Sequence, residues 1–133
     1  MHPEYTAQLV EDASRASANL AAVLTAVAAG NFEEAGAYFT EDIVLEIVGL
    51  PRMTGRWEGK RAVVDGMRAN FGSVCDQRPV IESTVQSGNT AALLFREQGC
   101  FRGDMEPYSI RAVMWLTFED GLIKRVDEIC AAV

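Results

Sequence analysis

The second half of the chain carries alternating strand patterns that are separated by very short turn signals. Two of these signals, Gly88-Asn89 and Asp120-Gly121, are typical of tight hairpin turns, so the strands beside them are expected to be antiparallel neighbours. The candidate strands are Val80–Ser87, Ala91–Arg102, Tyr108–Glu119 and Leu122–Ala131. A sheet of this kind buries one face, and that face needs a covering layer.

The first half of the chain supplies helices that can form this layer. Apolar residues recur at every third or fourth position before Gly30, which is a good helix terminator. Asn31 followed by Glu34 resembles a capping box and opens a second helix. The predicted elements of this half are, in order, a helix over Pro3–Ala29, a short helix through Phe32, Ala35 and Phe39, strands Ile43–Val48 and Met53–Glu58, and a helix over Gly59–Val74.

These elements predict the fold class α+β, with a cone-shaped curved antiparallel sheet wrapped by three helices from the N-terminal half. A chain of 133 residues can build one such core and not two, so residues 1–133 form a single predicted domain. A curved sheet covered by helices encloses a cone, and such cones commonly hold a small molecule in a mostly apolar pocket.

The charge balance excludes several kinds of partner. Nineteen acidic residues against twelve basic residues give a formal charge of −7, so neither nucleic acid nor an anionic membrane is an expected partner. The longest weakly polar stretch, Leu20–Ala29, is about half as long as a membrane span requires. Glu4, Glu11 and Asp12 stand where a signal peptide carries positive charge, and we therefore expect a cytoplasmic protein.

Cysteine and histidine usage narrows the chemistry. Cys75, Cys100 and Cys130 are widely spaced and odd in number, which argues against a disulfide framework or a zinc site and favours buried small hydrophobes. The single histidine, His2, stands beside the N-terminus, where chain ends usually fray. We expect no metal and no cofactor, so any catalysis must use carboxylates, tyrosines, arginines or water.

Several short strings of residues stand in a characteristic order from about residue 20 to the C-terminus. They are Ala29-Gly30-Asn31-Phe32, Tyr38-Phe39-Thr40-Glu41-Asp42, Trp57-Glu58-Gly59-Lys60, Phe118-Glu119-Asp120-Gly121-Leu122-Ile123 and Val126-Asp127-Glu128. Their order and spacing resemble the nuclear transport factor 2-like superfamily, in its SnoaL-like branch. The resemblance implies the cone fold but no single activity, because the superfamily contains isomerases, cyclases, epoxide hydrolases and non-enzymes.

One comparison within the superfamily is with ketosteroid isomerase, which uses an aspartate base, a tyrosine and a protonated aspartate. The resemblance places these groups at Ile47, Val23 and Met114, where this chain has apolar side chains. The chain is therefore not expected to be a standard ketosteroid isomerase.

A second comparison supplies the candidate catalytic residues. Limonene-epoxide hydrolase and its relatives use an Arg-x-Asp pair on one strand and an aspartate on the last strand to activate water and protonate the epoxide oxygen. The matching positions are Arg96, Gln98 and Glu128, so the arginine is kept and one acid has become an amide. If Arg96 and Glu128 both point inward, Glu128 can act as a base. The alternative is a structural ion pair, with Gln98 as a further partner of the arginine.

The predicted pocket lining combines aliphatic, methionine and aromatic side chains. It consists of Leu45, Ile47, Trp57, Met67, Phe71 and Met114. Such residues at core spacing are also typical of plain packing, so a filled core is the alternative interpretation.

The function predicted from these features is a cofactor-free hydrolase, isomerase or cyclase of a small apolar metabolite that uses Glu128 and Arg96. The alternative is a non-catalytic ligand-binding or protein-interaction protein of the same fold. The outer sheet face, with Val113, Trp115, Phe95 and Phe101, is predicted to form a homodimer, because large apolar groups on an open face are costly in a monomer.

Overall fold

The structure is a computed structural model and describes residues 18–133. Its elements are α1 (residues 18–28), α2 (Phe32–Gly36), β1 (Phe39–Val48), a 3-10 turn (Pro51–Met53), β2 (Gly55–Glu58), α3 (Lys60–Gly72), β3 (Val74–Ser87), β4 (Thr90–Phe101), β5 (Pro107–Glu119) and β6 (Leu122–Ala132). The predicted order of elements and the α+β class are confirmed. The beginning of the predicted first helix, with His2, Glu4, Glu11 and Asp12, lies outside the described residues.

The six strands form one curved sheet in the order β2-β1-β6-β5-β4-β3. Each neighbouring pair is antiparallel except β1 and β6, which are parallel. The prediction of an antiparallel sheet is therefore wrong for this one pair. After β2 the chain crosses through α3 to the far edge and returns as a meander, which brings β6 beside β1 in the same direction.

β3 is longer than its sequence pattern predicts. It begins at Val74 instead of Val80 and continues through Pro79. Proline removes a backbone donor, but in the described part of the chain β3 is an edge strand paired with β4 alone, and an edge strand tolerates that loss.

The core lies between the concave face of the sheet and the helices. Its largest fully buried side chains are Ile43, Val63, Val64, Leu116 and Ile123. They come from β1, α3, β5 and β6, so helix and sheet residues pack into one cluster. Within residues 18–133, no helix combines the length and apolarity that crossing a bilayer would need.

Trp57 connects the edge of the sheet to α3. Its indole packs on Gly55 of β2 and on Gly66 of α3, so closely that a Cβ on either glycine would lie 2.6 Å from the ring. Phe71, near the end of α3, packs against Phe32 of α2 with ring centroids 5.4 Å apart. Two of the six predicted lining residues therefore hold helices in place.

We expect Gly66→Ala to destabilise the protein by about 1–3 kcal/mol, because its methyl group overlaps the Trp57 indole. In a helix with open space the same change is favourable by up to about 1 kcal/mol. Gly72→Ala, in the same helix and with no atom near its added Cβ, is the matched control. Urea unfolding of both variants measures the difference in the free energy of unfolding. Equal stabilities would contradict the close packing of Trp57 on Gly66.

Candidate functional site

The inner face of β4 carries the odd-numbered side chains. Leu93 is buried and lies opposite Met114 of β5 in the sheet register, and Phe95 and Glu97 follow on the same side. Successive side chains of a strand alternate between faces, so Arg96 and Gln98 lie on the outer face. The structure therefore reverses the face predicted for β4, because an error of one residue moves every side chain to the other side of a sheet.

Arg96 does not meet Glu128. Its side chain is 60% exposed, and its Nε atom donates a hydrogen bond to Glu82 of β3. Arg111 of β5 donates to the same carboxylate at 3.1 Å. The predicted Arg96–Glu128 pair is therefore wrong. Gln98 is likewise exposed on the outer face and is not brought to Glu128.

Glu128 lies on the inner face, between two of the predicted lining residues. In the sheet register it stands beside Ile47 of β1 and Met114 of β5. These apolar neighbours remove water from the carboxyl group, and this burial raises the pKa of Glu128 to about 7. The negative charge of Glu97 adds to the rise. Within residues 18–133, no side chain donates a hydrogen bond to this carboxyl group.

Glu97 is the second carboxylate of the inner face, and it is held from both sides. The Tyr108 hydroxyl donates to its Oε2 atom at 2.7 Å, and the Gln77 side-chain amide donates to its Oε1 atom at 2.9 Å. Hydrogen bonds to an ionised acceptor are among the stronger ones in proteins. Glu97 therefore has a fixed position and two donors, whereas Glu128 has apolar neighbours.

Gly99 makes room for Tyr108. The two residues are opposite each other on β4 and β5, and a Cβ at Gly99 would lie 2.7 Å from the tyrosine oxygen. Without that Cβ, the buried ring lies across β4 and its hydroxyl reaches Glu97. Burial and then the bond to Glu97 raise the pKa of Tyr108 above its usual value, so the hydroxyl keeps its proton and remains a donor.

Arg52 of the 3-10 turn packs over this end of the sheet. Its guanidinium lies 3.8 Å from the centroid of the Phe101 ring, which in turn packs on Tyr108 with centroids 5.1 Å apart. The same guanidinium forms ion pairs with Asp104 at 2.9 Å and Glu106 at 3.1 Å. Phe101, predicted on the outer face, is therefore buried in this cluster, and Phe95 also faces inward.

The other predicted lining residues belong to the core. Leu45 and Ile47 are buried on the inner face of β1. Met67 of α3 and Met114 of β5 are partly buried and pack against the same cluster. Val23 and Ile47, two of the positions compared with ketosteroid isomerase, are buried among other apolar side chains.

Two of the three cysteines are joined. Cys75 of β3 and Cys100 of β4 are opposite each other, with Cα atoms 5.3 Å apart, and form a disulfide. The prediction that all three are isolated hydrophobes is therefore wrong for this pair, whereas Cys130 is free and buried. Asp76 lies close enough to complete a three-residue metal-ligand group, but the bonded sulfur atoms are not free thiolates.

Glu97 and Gln77 are the polar residues that sequence reasoning missed. For Glu97 a signal existed, because the odd positions of β4 include Ala91, Leu93 and Phe95 and are the more apolar set. Assigning the inner face from those residues places Glu97 inside. Gln77 had no such signal, since its direction depends on an irregularity in the pairing of β3 with β4.

The family of the chain follows from its sequence. A SnoaL-like domain matches residues 20–126, and the chain belongs to this family. No curated protein matches it by sequence.

Solved structures share the fold at low sequence identity. An NTF2-like protein from Burkholderia xenovorans has a TM-score of 0.76 and 14% identity, covering 89% of this chain and 90% of that chain. An LEH-like epoxide hydrolase from M. tuberculosis has a TM-score of 0.70 and 19% identity, with coverages of 89% and 84%. A protein with a ketosteroid isomerase-like fold from Catenulispora acidiphila has a TM-score of 0.69 and 13% identity, with coverages of 83% and 82%. The structural likeness shows the shared fold, and at these low identities it shows no activity.

We expect Glu128 to make the protein less stable as the pH rises from about 4.5 to about 7. Its pKa of about 7 in the folded chain exceeds the ordinary 4.5, so the folded state binds this proton more tightly than the unfolded state. The associated stability is complete below pH 4.5 and lost as the pH rises through 7, at most about 3 kcal/mol. Glu128→Gln should remove this loss, as measured by urea unfolding at about pH 5 and about pH 8.

Arg96→Met is the control for this experiment. Arg96 pairs with Glu82 on the outer face. Its loss should therefore leave unchanged the difference in the free energy of unfolding between about pH 5 and about pH 8. If Arg96→Met altered this stability difference as much as Glu128→Gln does, Arg96 would act on the inner face.

Proposed function

We propose that the protein is a cofactor-free hydrolase of a small, mostly apolar epoxide and that Glu128 is its proton-transfer residue. The observation that carries the proposal is the position of Glu128 on the inner face, between Ile47 and Met114 and within reach of the charge of Glu97. A carboxyl group with a pKa of about 7 exists in both protonation states near neutral pH, as a general acid or base requires.

The two inner carboxylates support a division of roles. Glu128, in its protonated form, donates its proton to the epoxide oxygen as the carbon–oxygen bond breaks. Glu97 retains acceptor capacity beyond its bonds to Tyr108 and Gln77, and it accepts a proton from the water that attacks the ring carbon. The product is a diol, and solvent returns the proton from Glu97 to Glu128.

The observed register of β4 supports this division of roles. With the observed register, the inner face holds Glu97 and Glu128 as a pair of acids, while Arg96, Arg111 and Arg125 form their ion pairs on the outer face. The acid that Gln98 lacks is thus supplied one position earlier on the same strand. Isomerisation has less support, because Ile47, Met114 and Val23 carry no proton-transfer group.

The test is hydrolysis of limonene 1,2-epoxide as a probe. We expect Glu128→Gln and Glu97→Gln to lower the rate at least ~100-fold, as loss of a general acid or base does. The outward Arg96→Gln variant should keep the wild-type rate. The rate should also fall as the pH rises above about 7, because Glu128 then loses the proton that it donates.

Unchanged turnover in Glu128→Gln with intact melting curves would contradict the catalytic role. Binding of the probe by the wild type without any turnover would favour the alternative, a ligand-binding protein of the same fold. A thermal shift measures that binding, because a ligand specific for the native state stabilises it.

We further propose that a second copy of the chain covers the outer sheet face. A continuous row of apolar side chains crosses four strands there: Val48, Ile129, Val113 and Leu94. Trp115, 51% exposed, stands beside this row on β5. Ion pairs of Arg96 and Arg111 with Glu82, and of Arg125 with Asp127, lie around it. An apolar centre with a polar rim is the usual anatomy of a protein interface.

We expect Trp115→Glu to weaken this dimer and leave the fold intact, because the new charge is solvated in the monomer and buried in the dimer. Light scattering across a concentration series measures the change. Met105→Glu is the matched control, since Met105 is exposed in the β4–β5 loop and does not belong to this row. A wild type that is monomeric at high micromolar concentration would contradict the proposed dimer.

A further inference from the structure

Gln77 reaches Glu97 because the pairing of β3 with β4 is irregular at this point. Cys75 is opposite Cys100 and Arg78 is opposite Gln98, so two β3 residues, Asp76 and Gln77, stand against Gly99 alone. An extra residue of this kind bends a strand and redirects a side chain. Here it directs the Gln77 amide to the Oε1 atom of Glu97.

The extra residue has an unusual backbone conformation. Asp76 has a φ of +52°, in the left-handed region, which aspartate adopts more readily than most residues other than glycine. It lies on β3, which within residues 18–133 pairs with β4 alone. The Cys75–Cys100 disulfide links the two strands at the residue immediately before Asp76. The covalent bond therefore fixes the position from which the irregularity starts.

We propose that Gln77 is a positioning residue for Glu97 and that the Cys75–Cys100 disulfide holds Gln77 in place, so that reduction of the disulfide alters the carboxylate pair. The inference rests on the proposed function, in which Glu97 and Glu128 act together. A dithiol reduces the bond by transferring two electrons and two protons to the sulfur atoms. Two cysteine thiols form, and the reductant becomes a cyclic disulfide.

The groups that face this pair come from the neighbouring strands. Tyr108 of β5 donates to Glu97, and Glu128 and Cys130 of β6 both respond to the charge of Glu97. Burial raises the pKa of the Cys130 thiol, so it stays protonated near neutral pH with or without reductant. Glu128 is therefore the group whose titration reports where the Glu97 charge lies.

The test follows the titration of Glu128 by carbon-detected NMR, in the intact protein before and after addition of dithiothreitol. Reduction should lower the pKa of Glu128, because Glu97 loses one of the two donors that hold its charge near Glu128. Gln77→Ala in the oxidised protein should lower it in the same way. Glu97→Gln, which removes the charge, sets the limit of the shift.

The decisive comparison is reduction of the Gln77→Ala protein. If the disulfide acts through Gln77, reduction should produce no further shift in this variant. Val80→Ala, an outward substitution on the same strand, is the control and should respond to reduction as the wild type does.

Three results would overturn the proposal. They are an unchanged pKa of Glu128 on reduction of the wild type, a change on reduction that is as large in Gln77→Ala as in the wild type, or loss of the far-ultraviolet circular dichroism signal on reduction. The last would make the disulfide a requirement for folding. The titration needs no substrate, so its outcome is separate from that of the epoxide assay, which tests the proposed function.

Discussion

The hydrogen-bonded ladder of β1, β6, β5 and β4 determines what every inner side chain of this protein faces. It places Glu128 between Ile47 and Met114 and puts Leu93 beyond them. Because the side-chain period of a strand is two, moving β6 by one residue would turn Glu128 to solvent. The same movement would bring Ile129, exposed on the outer face, into the core. The carboxyl group of the site and the apolar outer face therefore depend on one register.

The two inner carboxylates differ because their surroundings differ. Glu97 receives hydrogen bonds from Tyr108 and Gln77, which stabilise a negative charge. Glu128 has apolar neighbours that disfavour its charge, and the nearby charge of Glu97 disfavours it further. The hydrogen bond from Tyr108 to Glu97 depends on Gly99, which leaves space for the tyrosine ring.

Rigid contacts hold the sheet at its two edges. At the β2 edge, Trp57 fills the space that Gly66 leaves in α3. At the β3 edge, the Cys75–Cys100 disulfide joins the last two strands beside the irregular pairing. Edge strands have one strand neighbour instead of two, so contacts of this kind contribute most there. The carboxylates lie on the strands between these edges, where each strand is paired on both sides.

The sequence alone determined the order of elements, the acidic balance and the faces of β5, because short-range periodicity and turn residues encode them. Trp115 on the outer face follows from this alternation, whereas Glu128 was a candidate through the resemblance to epoxide hydrolases. Only the tertiary structure decided the parallel pairing of β1 with β6 and the direction of Gln77. These depend on pairings between distant segments, such as Cys75 with Cys100 across 25 residues. A local pattern gives the alternation of a strand, but its neighbours decide which side becomes the inside.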